Sequence, residues 1–343
     1  MKRSLLPQNC NVYKANLHMH TEVSDGTGTP AEVKQAYMAQ GYSVVAFTDH
    51  EVLVPHKDLT DENFVAITSY EKSVNRPSNT DHFDSIVVAH LNFFAKEEDN
   101  TACPVLNPDT VWGNAKAYIT EEMKRFRYEA TYSTEGLNDI IKKANEAGFL
   151  VSLNHPVWSL QNYEDYGGLK GLWGVECFNT GCVLGGYPDT MQPIDDLLRK
   201  GERVFPLATD DAHQLHDRFG GYVNIFAKQL TYSAVMQALE RGDFYASTGP
   251  EFKSITLDGD TLTVECSPVR HVEFRTSRRS NRRAWWSDDG SLLNGATFDI
   301  SHFTSQVKEE GIESSSYFYV TLTDAEGKQA HTRAFFMDEL LKG

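Results

Sequence analysis

The chain has 343 residues, 40% of them hydrophobic and 11% aromatic, enough for a sizeable core and more than a single domain usually holds. A formal net charge of −16 excludes a general nucleic-acid or anionic-membrane surface. The five cysteines match no disulfide framework or zinc ribbon, and no run is apolar and long enough for a secretory signal or a membrane span, so a reduced, cytoplasmic protein is expected.

In chain order, brief runs rich in Val, Ile, Leu and Phe predict strands at 12–17, 43–48, 64–69, 85–91, 150–154, 174–179 and 204–208. Helices are predicted between several of them. The first, 30–40, opens with a Thr29 cap and Pro30 and stops at Gly41; the others cover 134–147, 194–200 and 231–240. Strand followed by helix, repeated, means a parallel α/β sheet or barrel, and seven strands suit a distorted barrel better than a regular eight-fold one. The stretch 92–133 breaks this rhythm as a long aromatic insertion with a helix expected at 118–128. After Gly249-Pro250 the texture becomes short and alternating, with strands expected at 252–257, 261–265, 271–276, 317–323 and 333–336 and little helical periodicity. Two domains follow: a barrel over 1–249 and a small all-β, sandwich-like domain over 250–343. Arg275, Arg278, Arg279, Arg282 and Arg283 cluster beside Trp285-Trp286, and are expected to be a solvated hairpin loop pairing with the acidic barrel.

Metal-capable side chains recur at the strand ends. "NLHMHTEVSDG" supplies His18, His20 and Asp25, "FTDH" His50, "SYE" Glu71, "VVAH" His90, "LNHP" His155 and "ATDDAH" Asp211 and His213. The C-terminal strand ends of an α/β barrel open on one face, where active sites are built. Nine imidazoles and carboxylates would converge there, a costly cluster without cations. The mixed shell suits Mn, Zn or Fe better than Mg or Ca, which prefer oxygen.

As an ordered set, these motifs together with "VVAFTDHE" and "VVAHLNFFA" resemble the PHP (polymerase and histidinol phosphatase) superfamily over roughly residues 11–250. The resemblance implies a distorted seven-stranded (β/α) barrel with two or three divalent transition-metal ions that hydrolyses phosphate esters through a metal-bridged hydroxide. It places His18, His20, Glu71 and Asp211 at a first ion. Glu71 would bridge to a second ion held by His90 and His155, and Asp25, His50 and His213 would form a third site. Some relatives carry His at the position of Asp25. Asp210 is the fallback for Asp211, and the β-rich tail also resembles appendages of the family. The expected substrate is a small phosphorylated metabolite, a phosphomonoester of a sugar, nucleotide or similar. Glu71, His213 and His50 are the expected catalytic groups, and His213 or His50 would act as acid if the third site is empty. Arg218 is the preferred substrate contact. Rival readings are hydrolysis of a cyclic phosphodiester or non-phosphate ester by the same centre, and a metal-stabilised binding module.

Overall fold

The computed structural model describes residues 2–80, 82–286 and 289–341. Its first part runs β1 (Lys2–Ser4), β2 (Asn11–Asn16), α1 (Pro30–Ala39), β3 (Tyr42–Phe47), β4 (Val65–Asn75), β5 (Val88–Ala95), α2 (Thr134–Glu146), β6 (Phe149–Leu153), α3 (Tyr163–Tyr166) and β7 (Gly174–Asn179). It continues through α4 (Thr180–Leu184), α5 (Gln192–Arg199), β8 (Phe205–Thr209), β9 (Tyr222–Ala227), α6 (Tyr232–Arg241) and β10 (Phe244–Ser247). The expected cap is present: Thr29 and Glu32 form a reciprocal capping box at the start of α1, with Pro30 inside the first turn. Gly242 ends α6 in the left-handed conformation that glycine adopts without steric cost.

These strands form a run in the order β9-β2-β3-β4-β5-β6-β7-β8 within a larger 14-stranded sheet. Leu137, Ile140 and Ile141 of α2, Leu197 and Leu198 of α5, and Val235 and Leu239 of α6 bury their apolar stripes against it in one core. Each such side chain removed from water contributes about 1.5–3 kcal/mol. The ends of the run, β8 and β9, lie beside each other, with no ladder joining them among the described residues.

The architecture departs from seven parallel strands. β9 extends the run and pairs antiparallel with β2, and β5 is antiparallel to both β4 and β6. The strand expected at 85–91 therefore lies at Val88–Ala95 and runs the other way. His90 reaches the same face as the other site residues because it lies near the start of a reversed strand, not at the end of a parallel one. The helix expected at 118–128 is absent: the insertion holds only 3₁₀ turns at Gly113–Tyr118 and Met123–Arg125. A small core of Val52, Leu106, Val111 and Ala115 pins it to the loop after His50.

The C-terminal part comprises β11 (Phe252–Asp258), β12 (Thr261–Val269), β13 (His271–Thr276), β14 (Arg282–Trp285), β15 (Leu293–Asp299), α7 (Ser301–Glu310), β16 (Tyr317–Thr323), β17 (Gln329–Thr332), β18 (Phe335–Phe336) and α8 (Met337–Leu341). One layer is the four-stranded sheet β1-β11-β12-β15; the other is the β14-β13-β16-β17 end of the large sheet. Ile255, Leu262 and Val264 from the first meet Val272, Phe274 and Val320 from the second, which makes the region sandwich-like. Two features depart from the sequence reading. Helices α7 and α8 interrupt a tail read as all β, with Phe303 and Val307 of α7 buried in its core. The two regions are also joined by sheet pairing: β10 pairs with β17, and β1, from the very start of the chain, pairs with β11. Tyr319 donates a buried hydrogen bond of 3.1 Å across the same seam to Asp195. Three of the five clustered arginines pair within their own region, Arg275 and Arg283 with Glu273 and Arg278 with Glu310.

Candidate metal centre

Strand alternation aims His18 and His20 the same way past the end of β2. Their Nε2 atoms stand 3.1 Å apart, and each lies 3.1 Å from Asp211 Oδ1. The following loop is pinned by Asp49, whose carboxylate accepts from Thr21 N at 2.8 Å, Thr21 Oγ1 at 2.9 Å and Ser24 Oγ at 2.8 Å. Gly26 completes the turn, since a Cβ there would meet the His20 carbonyl carbon at 2.3 Å. Asp25 is thereby returned over the site, its carboxylate 3.7 Å from His20 Nδ1, 3.8 Å from His50 Nε2 and 3.4 Å from His213 Nε2.

Glu71 lies in the middle of the long strand β4 and is buried. Five imidazoles surround its carboxylate: His50 Nδ1 at 3.1 Å, His90 Nδ1 at 3.2 Å, His18 Nε2 at 3.3 Å, His20 Nε2 at 3.6 Å and His155 Nε2 at 3.7 Å. Asn154 fixes it by donating to Oε1 at 2.7 Å. All nine residues expected from the sequence thus come together. They fall into overlapping groups: His18 with His20 and Asp211; Glu71 with His90 and His155; and His20 with Asp25, His50 and His213. His20 belongs to two of these groups.

Between the neighbouring aspartates, the structure favours Asp211. Asp210 is fully buried and accepts from Tyr37 Oη, Thr180 Oγ1 and the amides of Phe219, Gly220 and Gly221, which ties down the loop behind the site. Asp211 instead faces the imidazoles from a left-handed backbone conformation, φ 51°, and His155 is also held at positive φ, 26°. Such conformations cost on the order of 1–3 kcal/mol at a non-glycine residue and persist where the surroundings impose them.

The electrostatics follow from crowding. Burial would raise the Glu71 carboxyl, but His90, His18 and His50 outweigh it and hold it well below the ordinary range; Asp211 is held down in the same way by His18, His20 and His155. Burial opposes charge on His18, yet Asp211, Glu176 and Glu71 raise it well above its usual value. Burial dominates at His50 and pushes it down to about 3, while His213, also opposed by burial, is raised to about 9 by Asp25 and Asp211. A donor set so dependent on mutual charge compensation fits divalent cations. The fit is also geometric: His20 Nδ1, His50 Nδ1 and Glu71 Oε2 are buried without a hydrogen-bond partner, each inside the cluster. Groups of this kind are usually satisfied.

Sequence reasoning missed the supporting residues. Glu176, in the middle of β7, accepts from His18 Nδ1 at 2.7 Å, Thr209 Oγ1 at 2.7 Å, His155 N at 2.9 Å and Asn179 Nδ2 at 3.0 Å. A carboxylate behind a metal-facing histidine fixes its tautomer and ring orientation. The available signal was a lone charge inside the apolar strand "GVECFN". Arg218 does not line the cavity over the site: it is buried and donates from Nη2 to the Thr27 carbonyl at 2.7 Å.

That cavity, of about 490 Å³, opens above Glu71 and is walled by the insertion through Asn107, Thr110, Trp112 and Tyr128. The Trp112 ring lies 4.8 Å from His50, and Trp158 lies 4.9 Å from His155 and 5.6 Å from His90. Lys72 is the lone lysine or arginine among the described lining residues, and it is ion-paired with Glu51.

Among solved structures, the chain is similar to a two-domain protein from Bacteroides vulgatus containing a predicted PHP-like metal-dependent phosphoesterase, at 13% identity and TM-score 0.44, covering 97% of this chain and 98% of that one. It is also similar to an amidohydrolase from Chromobacterium violaceum, at 15% identity and TM-score 0.38, covering 59% and 88%. A lesion-specific endonuclease from Pyrococcus furiosus matches at 14% identity and TM-score 0.43, covering 83% and 70%. No curated protein matches the chain. The PHP domain model matches residues 16–220, well over half of the 343 residues and a span that contains all nine clustered side chains, so the chain belongs to the PHP domain family.

Proposed function

We propose that the protein is a metal-dependent hydrolase acting on a small phosphomonoester. The observation that carries this reading is the Glu71 carboxylate, set among five imidazoles at the floor of an aromatic-walled cavity. His18, His20 and Asp211 would hold one divalent ion, and His90 and His155 a second, with Glu71 between them. Asp25, His50 and His213 would complete a third site. When bound, such ions neutralise charge on phosphoryl oxygens and bring the pKa of water close to 7.

The remaining roles belong to the protein. Glu176, Asn154 and Asp49 orient the donors before substrate arrives. Trp112 and Trp158 exclude water and offer ring faces to the organic part of the ester. With the third site empty, His213 would be better placed than His50 to hold a proton on Nε2 for the leaving oxygen, because His213 stands at the partly exposed rim whereas His50 is buried beside Trp112. With Lys72 committed to Glu51, the cavity favours an ester with one phosphate over one with two.

The test is a hydrolysis screen with Mn-, Zn- and Fe-loaded protein over phosphomonoesters, cyclic phosphates and carboxyl esters. Turnover of phosphomonoesters with one phosphate is expected. Activity confined to carboxyl esters would overturn the reading.

A further inference from the structure

We infer that the protein has a second anion site, independent of the metal centre, that binds a small molecule bearing two or more linked phosphates. It is a cavity of about 610 Å³ lined by Arg199, Ser277, Arg278, Arg279, Ser280, His302 and Gln306. Arg199 comes from α5, the others from the β13–β14 turn and from α7, so the cavity lies where the C-terminal region meets the barrel's outer helices.

In a chain with 48 acidic and 32 basic residues, these seven lining positions hold three arginines and no carboxylate. The carboxylates beside two of these arginines, Glu310 at Arg278 and Asp195 and Asp196 at Arg199, do not line the cavity, so the groups that do line it suit an anion. The turn that presents the arginines is built. Asn281 Oδ1 accepts from Thr276 N at 2.8 Å, and Thr276 Oγ1 donates to the Arg278 carbonyl at 2.9 Å. Glu310 holds Arg278 at 2.8 Å, and Asp195 and Asp196 stand only loosely against Arg199, at 3.7 and 3.9 Å. Arg279 has no ion-pair partner among the described residues, which leaves its guanidinium fork for a ligand. His302 and Gln306 are four residues apart on α7 and so share a face.

The ligand chemistry follows from these donors. Guanidinium forks match phosphate oxygens bidentately, and serine hydroxyls and an imidazole add further donors. Three guanidinium groups spread around a cavity of this size are too many for one phosphate and suit a linked pair, such as a diphosphate. This reading does not depend on the reaction at the metal centre.

The experiment is calorimetric titration of the full, metal-loaded chain with inorganic pyrophosphate, and separately with inorganic phosphate, for wild type, Arg279→Ala and Arg282→Ala. Arg282 is an exposed arginine of the same hairpin outside the cavity. Arg279→Ala is expected to weaken pyrophosphate binding at least tenfold, with Arg282→Ala like wild type and phosphate binding much weaker than pyrophosphate. Phenylglyoxal labelling mapped by mass spectrometry should show pyrophosphate protecting Arg278 and Arg279 while metal content is unchanged. The inference fails if Arg279→Ala binds as wild type does, which would place all pyrophosphate at the metal centre. It also fails if Arg282→Ala is weakened equally, which would mean diffuse attraction.

Discussion

At the scale of single residues, Glu71 and Asp25 make unequal claims on the centre. Glu71 faces five imidazoles, the nearest at 3.1 Å, and Asp25 three, the nearest at 3.4 Å. Replacing Glu71 by Gln removes a charge and one good oxygen donor between two groups of ligands. It should cost about two metal equivalents and most activity, whereas Asp25→Asn should cost no more than one. Metal analysis of both variants at matched folding stability decides; a Glu71→Gln protein that keeps its metals would end the bridging assignment. Glu176→Gln should weaken metal affinity or activity roughly 10–100-fold without touching a metal-facing atom, because it frees the His18 ring. His331 gives a pH signature away from the centre. Burial, with Arg275 second, lowers it to about 4 from 6.5. The unfolded chain thus binds the extra proton more readily, so this contribution is complete above about pH 6.5 and is lost as pH falls toward 4, to a total of roughly 3 kcal/mol. Denaturant midpoints of wild type and His331→Gln, compared at pH 7.5 and 4.5, should show the smaller acid loss in the variant; equal losses would remove His331 as the cause. The ligand residues were legible because each sits in a short motif, although Glu71 lies inside β4 and His90 near the start of the reversed β5 rather than at strand ends. Glu176 and Asp49 were not, because a buried carboxylate acts through partners that only the fold supplies.

At the scale of elements, the sequence pattern located helices through their caps and apolar stripes, and Thr29-Pro30 marks the start of α1 as expected. Strand direction was hidden. An apolar run buried on both faces reads alike whichever way it is traversed, so the reversal of β5 left no mark in "VAHLNFFA", and "YVNIFA", the strand β9, was not read as a strand at all. The insertion misled for a related reason: its 118–128 stretch has helix-forming residues, but Ile119 and Met123 are spent on the small core of Val52, Leu106, Val111 and Ala115. That small core lies apart from the main one. Leu106→Ala should therefore raise amide exchange across residues 103–123 while the global unfolding midpoint barely moves; an equal loss in the whole molecule would show that the insertion is not a separate unit of stability. Trp112→Ala, which strips one wall of the cavity, should raise KM several-fold with kcat less affected.

At the scale of the whole molecule, the linear boundary at Gly249-Pro250 cuts through paired strands. Ending the chain there would strip β10 of β17, leave β1 without β11, and expose Asp195 and the apolar groups that meet Tyr317 and Phe336 in the main core. A truncated protein should therefore aggregate on expression, even though all nine metal-facing residues remain in it. A soluble, metal-loaded fragment would show that the N-terminal region stands without its neighbour. None of these long-range pairings has a local sequence signature; "KRS" at the start of the chain is too short and too polar to announce a strand.

The pairing of β1 with β11 has a temporal side. Lys2 meets Asp258 and Ser4 meets Thr256, so β1 must wait on the ribosome for a partner made some 250 residues later. At bacterial-like elongation rates of about 5–20 residues per second, that wait lasts on the order of tens of seconds. During it β2 can already seek β3, whereas β1 is an unpaired edge on a nascent chain. The four-stranded layer can therefore close over β1 only after β11 has been made.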